Sequence, residues 1–312
     1  MRADLARACV IAMLAFAACG GEAEPEPEPV VEEPPAAETA TAVPPEQTAV
    51  PADGQGSGAS PAINSIAVDP GDGTIMVGSG PALYRVKPGS KTGEKVVGKL
   101  DGGTVSGNLV VRFTGPGELI GSGHPQEGDL PENLGLIRSR DHGETWETVH
   151  ANEQDYHELE VAGKLLLGVH VDAPEELRVS RDGGANWDSK IPPAQPIDVV
   201  VDPADPDHWA ISTEQGTFVS TNGGDSWRPR DTTFGARLIW PKSDALYSID
   251  RNGGVRLSRD GGESWEERGE IDGLPSEVAA GRKNDLYVAV VGAKILRSRD
   301  GGKTWTTAAT IK

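Results

Sequence analysis

An eight-residue phrase recurs five times along this chain. It reads SRDHGETW from Ser139 to Trp146, SRDGGANW from Ser180 to Trp187, STNGGDSW from Ser220 to Trp227, SRDGGESW from Ser258 to Trp265 and SRDGGKTW from Ser298 to Trp305. The leading serines fall 41, 40, 38 and 40 residues apart. A fixed period near 40 residues means that one supersecondary unit is copied, and that no copy buries its apolar face alone.

The unit is clearest in the fourth copy. Ile197 to Val201 is a β-branched run, Asp202 to Pro206 is a turn cluster, Trp209 to Ser212 and Gly216 to Ser220 are two further strands, and Trp227 opens a fourth after the phrase. Four short strands in about 40 residues make one propeller blade. Innermost strands open near Ile63, Asn108, Asp155, Ile197, Ala236 and Ser276. The expected fold is all-β: a six-bladed β-propeller of four-stranded antiparallel blades over residues 61–312, with the phrase hairpins on one face. Blade one carries a decayed phrase from Lys87 to Lys95 with no Trp, and blade two an insertion from Gly121 to Pro131. Whether the ring closes by strand exchange between the termini stays open at this point.

The phrase itself reads as structure. Asp141, Asp182, Asn222, Asp260 and Asp300 stand two residues before a tight glycine, where a side-chain oxygen can accept loop amides. Trp146, Trp187, Trp227, Trp265 and Trp305 are expected to pack into the blades. An acid repeated once per blade at a hairpin performs the same task each time, so neither Ca²⁺ binding nor catalysis is assigned to these positions.

Residues 1–19 read as an export signal: Arg2 and Arg7, then an apolar run from Ala8 to Ala18, too short to span a bilayer. The run ends in Phe16-Ala17-Ala18-Cys19-Gly20. This resembles the bacterial lipobox, with Phe16 in place of the usual Leu, and implies lipidation at Cys19 after cleavage. Residues 20–60 are rich in Pro, Glu and Ala with no aromatic, and cannot bury enough apolar surface to fold. They are expected to be a spacer holding the propeller off a membrane contacted only through the lipid. The expected location is that of an exported, anchored lipoprotein, at the cell surface or in the periplasm. The net charge of −19 argues against a nucleic-acid partner. Cys9 and Cys19 both precede the folded region, which excludes a thiolate metal site there. No cofactor is expected, and the propeller is expected to be monomeric.

The phrases resemble those of the Asp-box, or BNR-repeat, propellers, which include sialidases, tandem-propeller xyloglucanases, sortilin-type receptors and a photosystem II assembly factor family. The resemblance covers about 240 residues. Small bacterial Asp-box proteins labelled as glycosyl hydrolases are similar at Gly121-Ser122-Gly123-His124-Pro125, at Leu130 to Ser139 and at Asp155-Tyr156-His157. They often have a His-rich first strand, where this chain has Ile63-Asn64-Ser65. The resemblance specifies fold more than function, because the motif occurs in enzymes and receptors alike.

Likeness to sialidases implies three arginines around a substrate carboxylate, a Tyr nucleophile with a Glu, and an Asp acid. Near strand starts on the face opposite the phrases, the arginines are Arg112 and Arg237; most others flank the phrases. Tyr156 with Glu158 two residues on is the pair that fits, and the set is otherwise incomplete. A two-carboxylate glycosidase would draw on Glu158, Asp198 and Glu277, at equivalent strand starts, with Asp129 on the insertion. His124 and His157 sit on adjacent blades and the same face, where Asp129 or Glu158 could complete a metal site; alternatively they fix the insertion by hydrogen bonds. The leading expectation is a mouth that binds a glycan or a protein. The alternatives are a glycoside hydrolase and an assembly factor for a membrane complex.

Overall fold

The computed structural model describes residues 61–312 apart from 126, 129 and 151–153. The export segment, the spacer, Cys19 and Asp129 lie outside the described residues. Those described form six four-stranded antiparallel sheets and one three-stranded sheet. The innermost strands are Ile63–Val68, Leu109–Gly115, Tyr156–Ala162, Pro196–Asp202, Arg237–Lys242 and Pro275–Ala280, one per blade. They line the axis and run from the mouth, where each begins, to the underside, which carries the phrase hairpins.

Each blade takes its four strands from one continuous stretch, so the ring closes without strand exchange. Blade six meets blade one through Thr92 and Thr310, which bridge in parallel. The Thr310 amide donates to the Lys91 carbonyl at 3.0 Å, and the Gly93 amide donates to the Thr310 carbonyl at 3.3 Å. Behind these bonds, Ile66, Val77 and Tyr84 of blade one pack with Tyr287, Ile295 and Ile311 of blade six in one apolar cluster.

The hairpins close on themselves. In the last one, Ser298 Oγ accepts the Gly302 amide at 2.9 Å and donates to Asp300. Asp300 Oδ1 accepts the Thr304 amide at 3.0 Å, and Oδ2 accepts the Thr304 hydroxyl at 2.6 Å. Hydrogen bonds from Thr304 hold this carboxyl down at about 2; Asp182 and Asp260 are held at about 2 by the equivalent bonds from Asn186 and Ser264. Both oxygens thus serve as acceptors for the loop's own donors. Gly301 and Gly302 take φ of 72° and 85°, which costs glycine little. In blade two the first of these positions is His142, at φ 56°, held by a 2.6 Å contact to Asp69. Ser298 is fully buried, so Ser298→Ala strands the Gly302 amide. The expected loss is about 1–3 kcal/mol, read as a lower urea midpoint with unchanged slope.

A β-bulge recurs at the mouth end of four innermost strands: the register slips between Ile63 and Ser65, Tyr156 and Glu158, Pro196 and Asp198, and Pro275 and Glu277. A bulge re-aims the next side chain. The residue just past it is Ser65, Glu158, Asp198 or Glu277, and all four are buried. Gly98–Leu100, Gly103–Val105 and the insertion's Glu127–Gly128 form the three-stranded sheet beside blade two.

Candidate functional site

Six charged side chains meet at the axis. Arg112 Nη2 donates to Glu158 Oε1 at 2.7 Å. Arg237 Nη2 donates to Glu277 Oε1 at 2.7 Å, and its Nη1 reaches Glu158 Oε2 at 3.4 Å. Asp198 accepts two backbone amides, Val199 on Oδ1 and Leu238 on Oδ2, both at 2.8 Å. Glu160, on the strand that carries Glu158, accepts the Val201 amide. The Asp198–Leu238 bond satisfies an edge amide of the neighbouring innermost strand. Ser65 does the same between blades one and two, accepting from the Val111 amide at 3.2 Å.

Two guanidiniums face four carboxyls, a net −2 if every group were ionised. Burial opposes that charge and pushes Asp198 to about 7, helped by the nearby Glu158 and opposed by Arg237. Burial pushes Glu277 to about 8 against the pull of Arg237, and Glu160 to about 8 against that of Arg112. Both arginines resist burial because the carboxylates outweigh it, so their pKa values rise. Near neutral pH the cluster therefore retains protons that offset its excess of acids.

This arrangement shows where the acids expected at the strand starts, Glu158, Asp198 and Glu277, lie and what holds them. The strand starts do bring all three together, but Asp198 is taken up by two amides, and the Arg237 guanidinium fills the gap between Glu158 and Glu277. Tyr156 is corrected: it is fully buried, stacks on Trp187 at 5.2 Å, and donates its hydroxyl to Gln154. The bulge at His157 breaks the i, i+2 parity, so Tyr156 faces the core while Glu158 faces the axis.

His124 and His157 do converge, and among the described residues the acid they meet is Asp155 rather than Glu158. Asp155 Oδ2 lies 2.8 Å from His124 Nε2 and 2.7 Å from His157 Nε2. Glu158 instead turns inward to Arg112. Beside His157 a cavity of about 450 Å³ opens between blades three and four, walled in part by Glu158, Val171, Pro174, Ile197 and Arg237.

The loops around the mouth are apolar and acidic. Of six exposed large apolar side chains among the described residues, five lie there: Val171, Ile191, Phe234, Leu274 and Val291. Asp172, Glu175, Glu214 and Asp272 are exposed in the same loops. The Arg251 guanidinium lies over the Phe234 ring at 4.2 Å.

No protein-family model matches the chain, and no curated protein matches it. Solved structures do. An ancestral GH74 enzyme is 14% identical with a TM-score of 0.52, over 80% of this chain and 39% of that one. The GH74 xyloglucanase from Xanthomonas campestris is 17% identical with a TM-score of 0.50, over 80% and 45%. YCF48 from Cyanidioschyzon merolae is 16% identical with a TM-score of 0.48, over 80% and 85%. The chain thus spans less than half the length of the GH74 structures. At these identities the likeness shows the propeller fold alone.

Proposed function

We propose that this chain is an exported Asp-box propeller, tethered through Cys19 and the 20–60 spacer, whose mouth face binds a polypeptide partner. The observation that carries this reading is the concentration of Val171, Ile191, Phe234, Leu274 and Val291 on mouth-face loops, set among exposed acids. Apolar side chains gathered on one face mark an interaction surface, and the acids favour a partner segment that carries basic as well as apolar residues. A glycan is less well served. Sugar rings are gripped by flat aromatic faces, and Phe234, the one exposed aromatic among the described residues, is already covered by Arg251.

The test is a selection of random peptides on the immobilised chain, repeated with the triple variant Phe234→Ser, Leu274→Ser, Val291→Ser. Selected peptides are expected to be basic and apolar, and to bind the triple variant at least about tenfold more weakly, as for loss of 1.4 kcal/mol or more. Peptides that bind both proteins equally would place the interaction elsewhere. Turnover of a chromogenic glycoside, abolished by Glu158→Gln, would replace the binding reading with the hydrolase one.

A further inference from the structure

We infer that His124, Asp155 and His157 form a binding site for one divalent transition-metal ion of the zinc class. It is separate from the apolar rim and does not depend on the partner proposed for it. His124 Nε2, an Asp155 carboxylate oxygen and His157 Nε2 all lie within 4.8 Å of one another. The donors come from two blades: His124 opens the insertion of blade two, and Asp155 and His157 flank the first residue of the innermost strand of blade three.

Three features point to a cation between them. Asp155 is buried, 1% exposed, and its Oδ2 is faced by two imidazole nitrogens within 2.8 Å, one from each of two blades. A buried carboxylate is costly unless something positive or a donor faces it, and a cation held between it and both imidazoles would serve all three. His124 Nδ1 lies 3.0 Å from the Glu132 carbonyl oxygen, which can only accept. That contact places an N–H at Nδ1 and makes Nε2, 2.8 Å from Asp155, the nitrogen a metal would take in exchange for its proton. Orientation of a ligating imidazole through its far nitrogen is the usual support of a metal-bound histidine. Finally, two imidazoles and one carboxylate leave a coordination position open in a tetrahedral site, and His157 also walls the 450 Å³ cavity.

Tetrahedral zinc holds its ligand atoms roughly 3.3 Å apart, given bonds of about 2.0–2.1 Å. The present spacings to Asp155 are 2.7 Å from His157 and 2.8 Å from His124, so both imidazoles must draw back by about half an ångström to admit the ion. A second cluster shows what a structural set looks like. Asp69 on the underside also meets a histidine, His142, but its carboxylate already accepts the Gly71 amide on Oδ1 and the Gly117 amide at 2.8 Å on Oδ2. There the carboxylate serves the backbone as well as the imidazole.

The test is calorimetric titration of zinc into the full, untagged chain carrying Cys9→Ser and Cys19→Ser, which removes the only thiolates in the sequence. One equivalent is expected to bind. His124→Ala and His157→Ala should each weaken binding by at least about 100-fold, and His142→Asn should leave it unchanged. The exposed position of His157 makes its variant a folded control for loss of ligand alone. Absence of stoichiometric binding, binding undiminished in both alanine variants, or loss of binding in His142→Asn would each overturn the proposal.

Discussion

Arg237→Met is expected to lower the stability of the propeller by about 3–5 kcal/mol, the effect of breaking a buried ion pair from one side. Arg237 bridges Glu277 and Glu158 across the axis and also reaches the Ile197 carbonyl. Both acids are buried, so removing the cation leaves either charge in a poorly solvated place or a further proton to be taken up. Methionine preserves much of the apolar stem, and the loss therefore reports the guanidinium. Arg237→Lys should recover only part of it, because an ammonium is a point donor and cannot span two carboxylates in one plane. A second substitution separates charge from packing: in Arg237→Met/Glu277→Gln one unpaired acid is gone, and part of the lost stability should return. Urea denaturation of the four proteins measures this. A loss below about 1 kcal/mol in Arg237→Met, as for a surface pair, would mean that the axis is open to water.

The second large effect is on pH dependence. Asp198, Glu160 and Glu277 have folded-state pKa values of about 7, 8 and 8, above the ordinary carboxyl range. The folded state thus binds more protons than the unfolded state between roughly pH 4 and 8, and stability falls as pH rises through that window. Asp69, Asp182, Asp260 and Asp300 are shifted the other way by hydrogen bonds, with burial opposing the shift most strongly at Asp69. Their contribution is present above the ordinary Asp pKa and is lost as pH drops below about 4. Together they place the stability maximum near pH 4, where the two windows meet. The fall from pH 5 to pH 8 is expected to reach about 3 kcal/mol, since a tenfold change in the proton affinity of one group is worth about 1.4 kcal/mol and the three acids are coupled. In Glu160→Gln/Glu277→Gln the alkaline limb should flatten while the acid limb stays. Melting temperatures from about pH 2 to pH 9 check both.

Much of this was open to reading in the sequence, for reasons that differ by element. The ring was legible because the hairpin phrase is under the same local constraint in every blade: a serine, an acid or Asn, and glycines at positive φ. The axial acids were legible as a group because Glu158, Asp198 and Glu277 hold one register. Their partnership with Arg112 and Arg237 was not, because side chains of different blades meet only in the closed ring. Tyr156 was misread because a bulge is invisible to a period-two count. Glu160 stood two residues after Glu158, in plain view of the same alternation. Asp155 stood beside the Tyr-His pair that drew attention. The Asp101-Gly102 step between Gly98–Leu100 and Gly103–Val105 is a hairpin signal. The apolar rim left no trace in the sequence: five single residues in five different loops form a surface only once the blades bring the loops together.

The central claim is that this molecule works through its mouth and is held together through its underside. Hydrogen exchange on the chain bound to a selected peptide measures that most directly. Protection is expected in the mouth loops around Val171, Phe234, Leu274 and Val291, with the hairpins from Ser180 to Trp187, Ser258 to Trp265 and Ser298 to Trp305 unchanged. Protection confined to those hairpins would contradict it.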